Sequence, residues 1–121
     1  MSNTQSSAEK KSYQAQRKQI KQYMGKFSAA QPDVAKAFSA LHQGASTAGQ
    51  LDPKTKELIA LAIAVVTRCD GCIAFHTHDA LQAGASKDEI MEALSVAVLM
   101  GGGPAMMYAA HVIEAMEEFE A

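Results

Sequence analysis

The sequence predicts an all-α fold, a compact single-domain bundle of about five or six helices, and three observations predict it. Helix start signals recur, at Pro32, at Asp52-Pro53 and at Ser86-Lys-Asp-Glu89. Apolar residues between them recur at three- and four-residue spacing. Neither an alternating strand pattern nor an Asn-Gly hairpin signal occurs. With 121 residues the chain has room for one domain and one core. Residues 1–10, polar and rich in Ser, Asn, Thr and Gln, read as a flexible tail, and residues 11–121 as the helical domain.

In order, Ala8 to Met24 holds good helix formers with a sparse apolar stripe (Tyr13, Ile20, Met24), and Gly25 supplies the expected stop. A second helix opens at Pro32. Val34, Ala37, Phe38 and Leu41 fall at i, i+3, i+4 and i+7, and Gly44 is expected to end it. Gly44 to Gln50 reads as a flexible connection. A third helix runs from Pro53, capped by Asp52, to about Thr67. Its run Leu58 to Val66 is apolar on every side and is expected to be buried all round. Cys69 to Ala83 forms the next helix, closed by Gly84. Ser86 to Glu89 is a capping box that opens a helix reaching about Met100. The Gly-Gly-Gly-Pro stretch then breaks the chain, with Pro104 in the first turn of a last helix.

Lys plus Arg (11) nearly balance Asp plus Glu (13), for a net charge of −2, which predicts no nucleic-acid surface. The start has no apolar run behind its charges, so no signal peptide is expected, and Leu58 to Val66 is too short for a membrane span. A cytoplasmic setting is the expectation. There thiols are kept reduced, so a lone Cys-x-x-Cys points to redox or metal chemistry rather than to a structural staple.

The chain has two cysteines, Cys69 and Cys72, followed by His76 and His78. On a helix, Cys69, Cys72 and His76 fall within a sector of about 60°. Cys72 and His76 stand at i and i+4, where imidazole can take the thiol proton, and both cysteines lie near a helix N-terminus that favours an anion. This makes Cys72 the better nucleophile and leaves Cys69 to resolve its adduct as a Cys69–Cys72 disulfide. Simple packing of three apolar-face residues is one alternative. Zinc is another, but His78 lies about 120° around the helix from Cys72 and no second cysteine pair exists. Two acids compete to orient His76. Asp79 shares its helix and reads otherwise as a solvated charge. Glu57 lies about 15 Å back along the preceding helix, level with about residue 78 if the two helices form a hairpin near Arg68. Glu57 is the preferred partner. His42, His78 and His111 read as surface or satisfied histidines, and Met106, Met107 and Tyr108 as core or subunit-interface residues.

Glu57, Cys69, Cys72 and His76, spaced Glu-x11-Cys-x2-Cys-x3-His and followed by Gly-Ala-Ser-Lys-Asp-Glu-Ile, resemble the AhpD-like branch of the carboxymuconolactone decarboxylase superfamily. The resemblance covers about residues 51 to 119. It implies an all-helical domain forming a dimer, trimer or hexamer, and a metal-independent alkylhydroperoxidase or disulfide reductase activity with no cofactor. Cys72 would be the peroxidatic thiolate, activated through His76 and Glu57; Cys69 would close the disulfide. The substrate would be a hydroperoxide, and the reductant a thiol protein or small dithiol. The founding alkylhydroperoxidases carry a histidine between their cysteines, where this chain has Gly71. The name-giving decarboxylases typically lack the cysteine pair. A decarboxylase-type lyase using His76 and Glu57, and a zinc-stabilised interaction module, are the alternatives.

The apolar content of Leu58 to Val66 and of Leu94 to Met100 exceeds what one small core covers. A homo-oligomer is therefore expected, with Leu58 to Val66 or Leu94 to Met107 at the contact. The alternative is a monomer whose N-terminal helices wrap these faces.

Overall fold

A computed structural model describes residues 12–120, and over them the chain forms five helices and no strand. The tail assigned to residues 1–10 and the expected helix start at Ala8 lie outside the described residues. The helices are α1 (Tyr13–Ala30), α2 (Pro32–Ser46), α3 (Pro53–Val66), α4 (Asp70–Gln82) and α5 (Lys87–Glu120).

α1 runs straight through Gly25, the expected stop. A glycine weakens a helix by only about 1 kcal/mol relative to alanine, which the residues around it offset. Pro32 is the true terminator. A proline pushes the residue before it out of the helical region, and Gln31 takes φ −132°, ψ 69°. α2 likewise passes Gly44 and closes at Thr47, whose N–H and hydroxyl both donate to the Gln43 carbonyl, at 3.1 and 2.6 Å. The other start signals act as expected. Asp52 accepts the Thr55 N–H at 2.8 Å, and hydrogen bonds from Thr55 hold its carboxyl below the usual range. Ser86 and Glu89 exchange reciprocal bonds of 2.9 and 3.0 Å. Glu89 also accepts from Lys54 Nζ at 2.8 Å, tying the start of α5 to the start of α3.

Two turns of one design connect the core helices. After α3, Arg68 N–H bonds to the Val65 carbonyl and Cys69 N–H to the Ala64 carbonyl. After α4, Gly84 N–H bonds to Leu81 and Ala85 N–H to Ala80. Both are Schellman caps, whose pivot residue must be left-handed. Gly84 adopts φ 94° without penalty, whereas Arg68, at φ 57°, is the one described non-glycine residue with positive φ. Arg68→Gly should therefore raise stability by roughly 0.5–1 kcal/mol, while Gly84→Ala should lower it by about 1–2 kcal/mol. Urea unfolding of the two variants checks this; a loss at Arg68 equal to that at Gly84 contradicts it.

α5 comprises the two helices expected on either side of Gly-Gly-Gly-Pro, with Pro104 at the start of the second. The break is a kink, at Gly102 with φ 71° and ψ −151°, a conformation open essentially to glycine alone. By length and composition α5 is also long and apolar enough to cross a membrane, a feature that the shorter run Leu58 to Val66 did not foreshadow. Its buried face, including Ile90, Leu94, Val112 and Met116, forms the core with Leu61 and Val65 of α3 and Ile73, Ala74 and Ala80 of α4. Gly101 has no room for a side chain: a Cβ there would stand 2.7 Å from Ala105 Cβ and 3.4 Å from Val66 Cγ2.

α1 lies across this three-helix core through Tyr13, Arg17 and Ile20, which share one face. Tyr13 is fully buried, the Arg17 guanidinium stands 5.3 Å from the centre of the Phe75 ring, and Ile20 rests on Gly71. The start of α1 is held from a distance. The Glu118 carboxylate accepts from Tyr13 N–H (2.9 Å), Gln14 N–H (2.8 Å) and Ser12 Oγ (3.0 Å), satisfying orphan helix donors with a negative charge.

The expectation that Leu58 to Val66 is buried all round needs correction. Leu61, Ala64 and Val65 are buried, but Ile59, Ile63 and Val66 are 45%, 56% and 38% exposed. α1 and α2 do not wrap this face; α2 buries no residue at all. Ile63 and Val66 adjoin Val96 and Met100 of α5 along a shallow, wholly apolar groove of about 270 Å³. Met106 and Met107 are exposed as well, so neither belongs to the core of the single chain.

Candidate dithiol active site

The Arg68 turn delivers the chain so that the two cysteines open α4. Cys69 is the N-cap, with extended backbone, rather than the first helical residue, and Cys72 is the third residue of the helix. The Cys69 sulfur takes the place that a serine or aspartate oxygen holds in other caps: Cys72 N–H donates to it at 3.2 Å. The cysteines are joined in a disulfide across a Cα separation of 5.2 Å. When that bond is reduced, the same N–H and the helix dipole favour negative charge on sulfur.

α3 and α4 form the hairpin on which the choice of Glu57 depended. Glu57 Oε1 and His76 Nδ1 are 2.8 Å apart, with side chains 15% and 25% exposed. A carboxylate at Nδ1 keeps the neutral ring's proton on that nitrogen and leaves Nε2 as the acceptor. His76 lies one turn after Cys72 on α4, so the dithiol and its base follow one another along α4, and Glu57 meets the base from near the start of α3.

Asp79 keeps part of the solvent exposure its sequence position suggested, its side chain being 39% exposed, but it also has partners. It is half-buried, accepts from or shares a proton with His78 Nδ1 at 3.0 Å, and offers an oxygen within 4.8 Å of the ligand atoms of both Glu57 and His76. His78 also meets the Phe119 ring edge-on, 5.5 Å between centres, and so is a satisfied histidine. His111 is another: its Nδ1 is 2.8 Å from Asp70 Oδ1, and its ring lies 4.8 Å from that of Tyr108. His42 is exposed on α2.

Sequence reasoning missed the groups around Asp70, the residue after the first cysteine. His111 reaches it from 41 positions away. Tyr13 lies nearby: burial first, then the Asp70, Glu114 and Glu118 carboxylates, push its phenol well above the usual range and keep it neutral. The acidic first turn of α4 was the only sequence signal, and it names no partner. Gly71 is closely covered: a Cβ there would approach Ile20 Cδ1 to 3.0 Å, so a side chain between the cysteines requires Ile20 to shift.

Comparison with known proteins gives the family and the fold. Residues 32–115 match the carboxymuconolactone decarboxylase family. A crystal structure of a protein of that family from Legionella pneumophila, in its apo form, is 45% identical, covers 90% of this chain and 97% of its own, and superposes with a TM-score of 0.88. One from Thermotoga maritima, whose description raises an involvement in antioxidative response, is 32% identical over 86% of this chain and 89% of its own, with a TM-score of 0.78. An uncharacterized protein of Cupriavidus necator is 39% identical over 95 residues, 78% of this chain and 84% of that protein.

Proposed function

The chain belongs to the carboxymuconolactone decarboxylase family, and from that premise we propose that it is a thiol-dependent peroxidase or disulfide oxidoreductase of the alkylhydroperoxidase type. The observation that supports this reading is the 2.8 Å Glu57–His76 pair one helical turn from a Cys-x-x-Cys that caps its helix. In the reduced protein His76 Nε2 takes the Cys72 proton and Glu57 stabilises the resulting imidazolium. The Cys72 thiolate attacks the distal oxygen of a hydroperoxide. The O–O bond breaks, Cys72 becomes a sulfenic acid, and the departing alkoxide takes the proton from His76 to leave as alcohol. The Cys69 thiol then attacks the sulfenic sulfur, releasing water and closing the disulfide. Two electrons from a thiol protein or a small dithiol restore the dithiol, chemistry suited to the reducing cytoplasm. No cofactor enters these steps.

Stoichiometric hydroperoxide should consume two thiols per chain and yield the intramolecular disulfide, as counted by thiol titration and mass spectrometry. Thiols unchanged under millimolar peroxide would exclude the dithiol reading. Lactone turnover that survives alkylation of both thiols would instead favour an acid-base lyase built on His76 and Glu57.

The proposed assembly is a homo-oligomer. Ile63, Val66, Val96 and Met100 line one apolar groove between α3 and the first half of α5, and Ile59 and Leu99 are exposed on the same two helices. At roughly 25 cal/mol per Å², leaving a few hundred Å² of this surface in water forgoes several kcal/mol, a large share of a small domain's stability. A second copy presents the same chemistry, so a self-complementary contact hides both faces at once. Sedimentation at micromolar concentration should give a dimer, trimer or hexamer; a single species at the 12.8 kDa chain mass would exclude it.

A further inference from the structure

The cluster around His76 supports a second chemistry. Glu57 arrives from α3, His76 and Asp79 from α4, and one ligand-capable atom of each lies within 4.8 Å of the other two. Among the described residues this is the one place where three such groups converge. The two lysines nearest to Glu57 in sequence are turned elsewhere: Lys54 binds Glu89, and the Lys56 ammonium donates to the carbonyls of Ala45 and Thr47. The two carboxylates are thus partnered by imidazoles, Glu57 by His76 and Asp79 by His78. We infer that Glu57, His76 and Asp79 form a regulatory site for a divalent transition-metal ion of the zinc type, and that its occupation switches off the dithiol.

The donor set selects the ion. One imidazole nitrogen with two carboxylate oxygens suits zinc, whereas calcium and magnesium seek six or more oxygens. Metal–ligand bonds of about 2.0–2.2 Å place neighbouring ligand atoms roughly 3.3–3.6 Å apart. The present spacings, 2.8 Å for Glu57–His76 and up to 4.8 Å for the set, reach that range by side-chain rotations of about an ångström. His78 bonds Asp79 Oδ1, which gives this carboxylate the hydrogen-bonded partner common around bound metals. All three residues are half-buried, which admits the ion and leaves a position for water.

The switch follows from the tautomer. An ion inserted between Glu57 and His76 takes the Nδ1 lone pair, and the ring proton moves to Nε2. The imidazole then donates where it previously accepted, and it cannot take the Cys72 proton. No electron is transferred and the ring neither gains nor loses a proton overall. The regulatory effect rests on the dithiol activity proposed above; the binding does not.

The experiment separates the two by using oxidised protein, in which the Cys69–Cys72 disulfide removes both thiolates as ligands. Equilibrium dialysis against ZnCl2, with metal analysis, should give one zinc per chain. Asp79→Asn and His76→Asn, with helix content checked by circular dichroism, should each bind at least about tenfold more weakly. CoCl2 should give a visible spectrum without sulfur charge-transfer bands. Absence of stoichiometric zinc on the oxidised chain, undiminished affinity in Asp79→Asn, or binding only after reduction with sulfur-to-cobalt charge transfer would each overturn the site. In the reduced protein ZnCl2 should slow peroxide consumption, and Asp79→Asn should raise the inhibitory concentration at least about tenfold; equal inhibition of both places the ion on the thiols and overturns the switch. Failure of the wild type to consume peroxide in the presence of a chelator would instead remove the dithiol reading and leave the zinc stoichiometry standing.

Discussion

Cys72→Ser is expected to lower peroxide turnover by at least about a thousandfold, because a serine hydroxyl beside His76 is far from ionised and its oxygen cannot cycle through a sulfenic acid. Cys69→Ser should behave differently. Its Cys72 still attacks the peroxide, so one equivalent is consumed and a sulfenic acid accumulates that dimedone traps and mass spectrometry locates. Multiple turnover then stops, because no thiol closes the disulfide. The inverse result, with trapping on Cys69 in Cys72→Ser, would exchange the two roles. That outcome has a physical route, since Cys69 is the N-cap and its sulfur receives the Cys72 N–H. The assignment to Cys72 rests on its i, i+4 relation to His76, and the pair of variants decides whether imidazole or helix cap governs reactivity.

Glu57→Gln should reduce kcat by about 10² to 10⁴, the range lost when general acid-base catalysis is disabled. The amide keeps the size of the side chain and can accept from His76 Nδ1–H, yet it brings no charge to balance the imidazolium. The rate of Cys72 alkylation by iodoacetamide should fall along with kcat, since both require the thiolate. Alkylation at the wild-type rate with impaired turnover would move the role of Glu57 from forming the thiolate to protonating the departing alkoxide. Thermal unfolding of this variant should change little, because the amide keeps a hydrogen bond to His76 and neither residue belongs to the hydrophobic core.

The parts of the molecule that were legible in the sequence are those whose chemistry is local or follows from helical arithmetic. Asp52-Pro53 and Ser86 to Glu89 name their own hydrogen bonds, because cap and donor are three residues apart. Glu57 was reachable as the His76 partner because a tight hairpin and a rise of about 1.5 Å per residue relate positions on paired helices. Glycines misled twice. Gly25 and Gly44 lie inside helices, while the left-handed turn that places Cys69 falls on Arg68, a residue no turn rule would choose. Contacts between distant elements left no trace: Asp70 with His111, and Glu118 with the first turn of α1, join residues 41 and about a hundred positions apart. The apolar run of α3 was legible as too greasy for the surface, but its composition does not say whether the cover is the same chain or another copy.

The Glu118 bonds to Ser12, Tyr13 and Gln14 close the described chain on itself, so the polypeptide runs as a ring whose join is a carboxylate instead of a peptide bond. Helix order along the chain is then separable from helix arrangement in space. A circular permutant that links the C-terminal end of α5 to α1 through a short flexible tether, and opens the exposed connection at residues 47–52, would synthesise α3, α4 and α5 first, with the whole dithiol site among them. α1 and α2 would follow as an appended hairpin, with Tyr13 of α1 completing the core. The ring makes α1 the fastening of the fold, while α2 is held at its C-terminal end by Lys56 of α3, whichever end of the chain is made first.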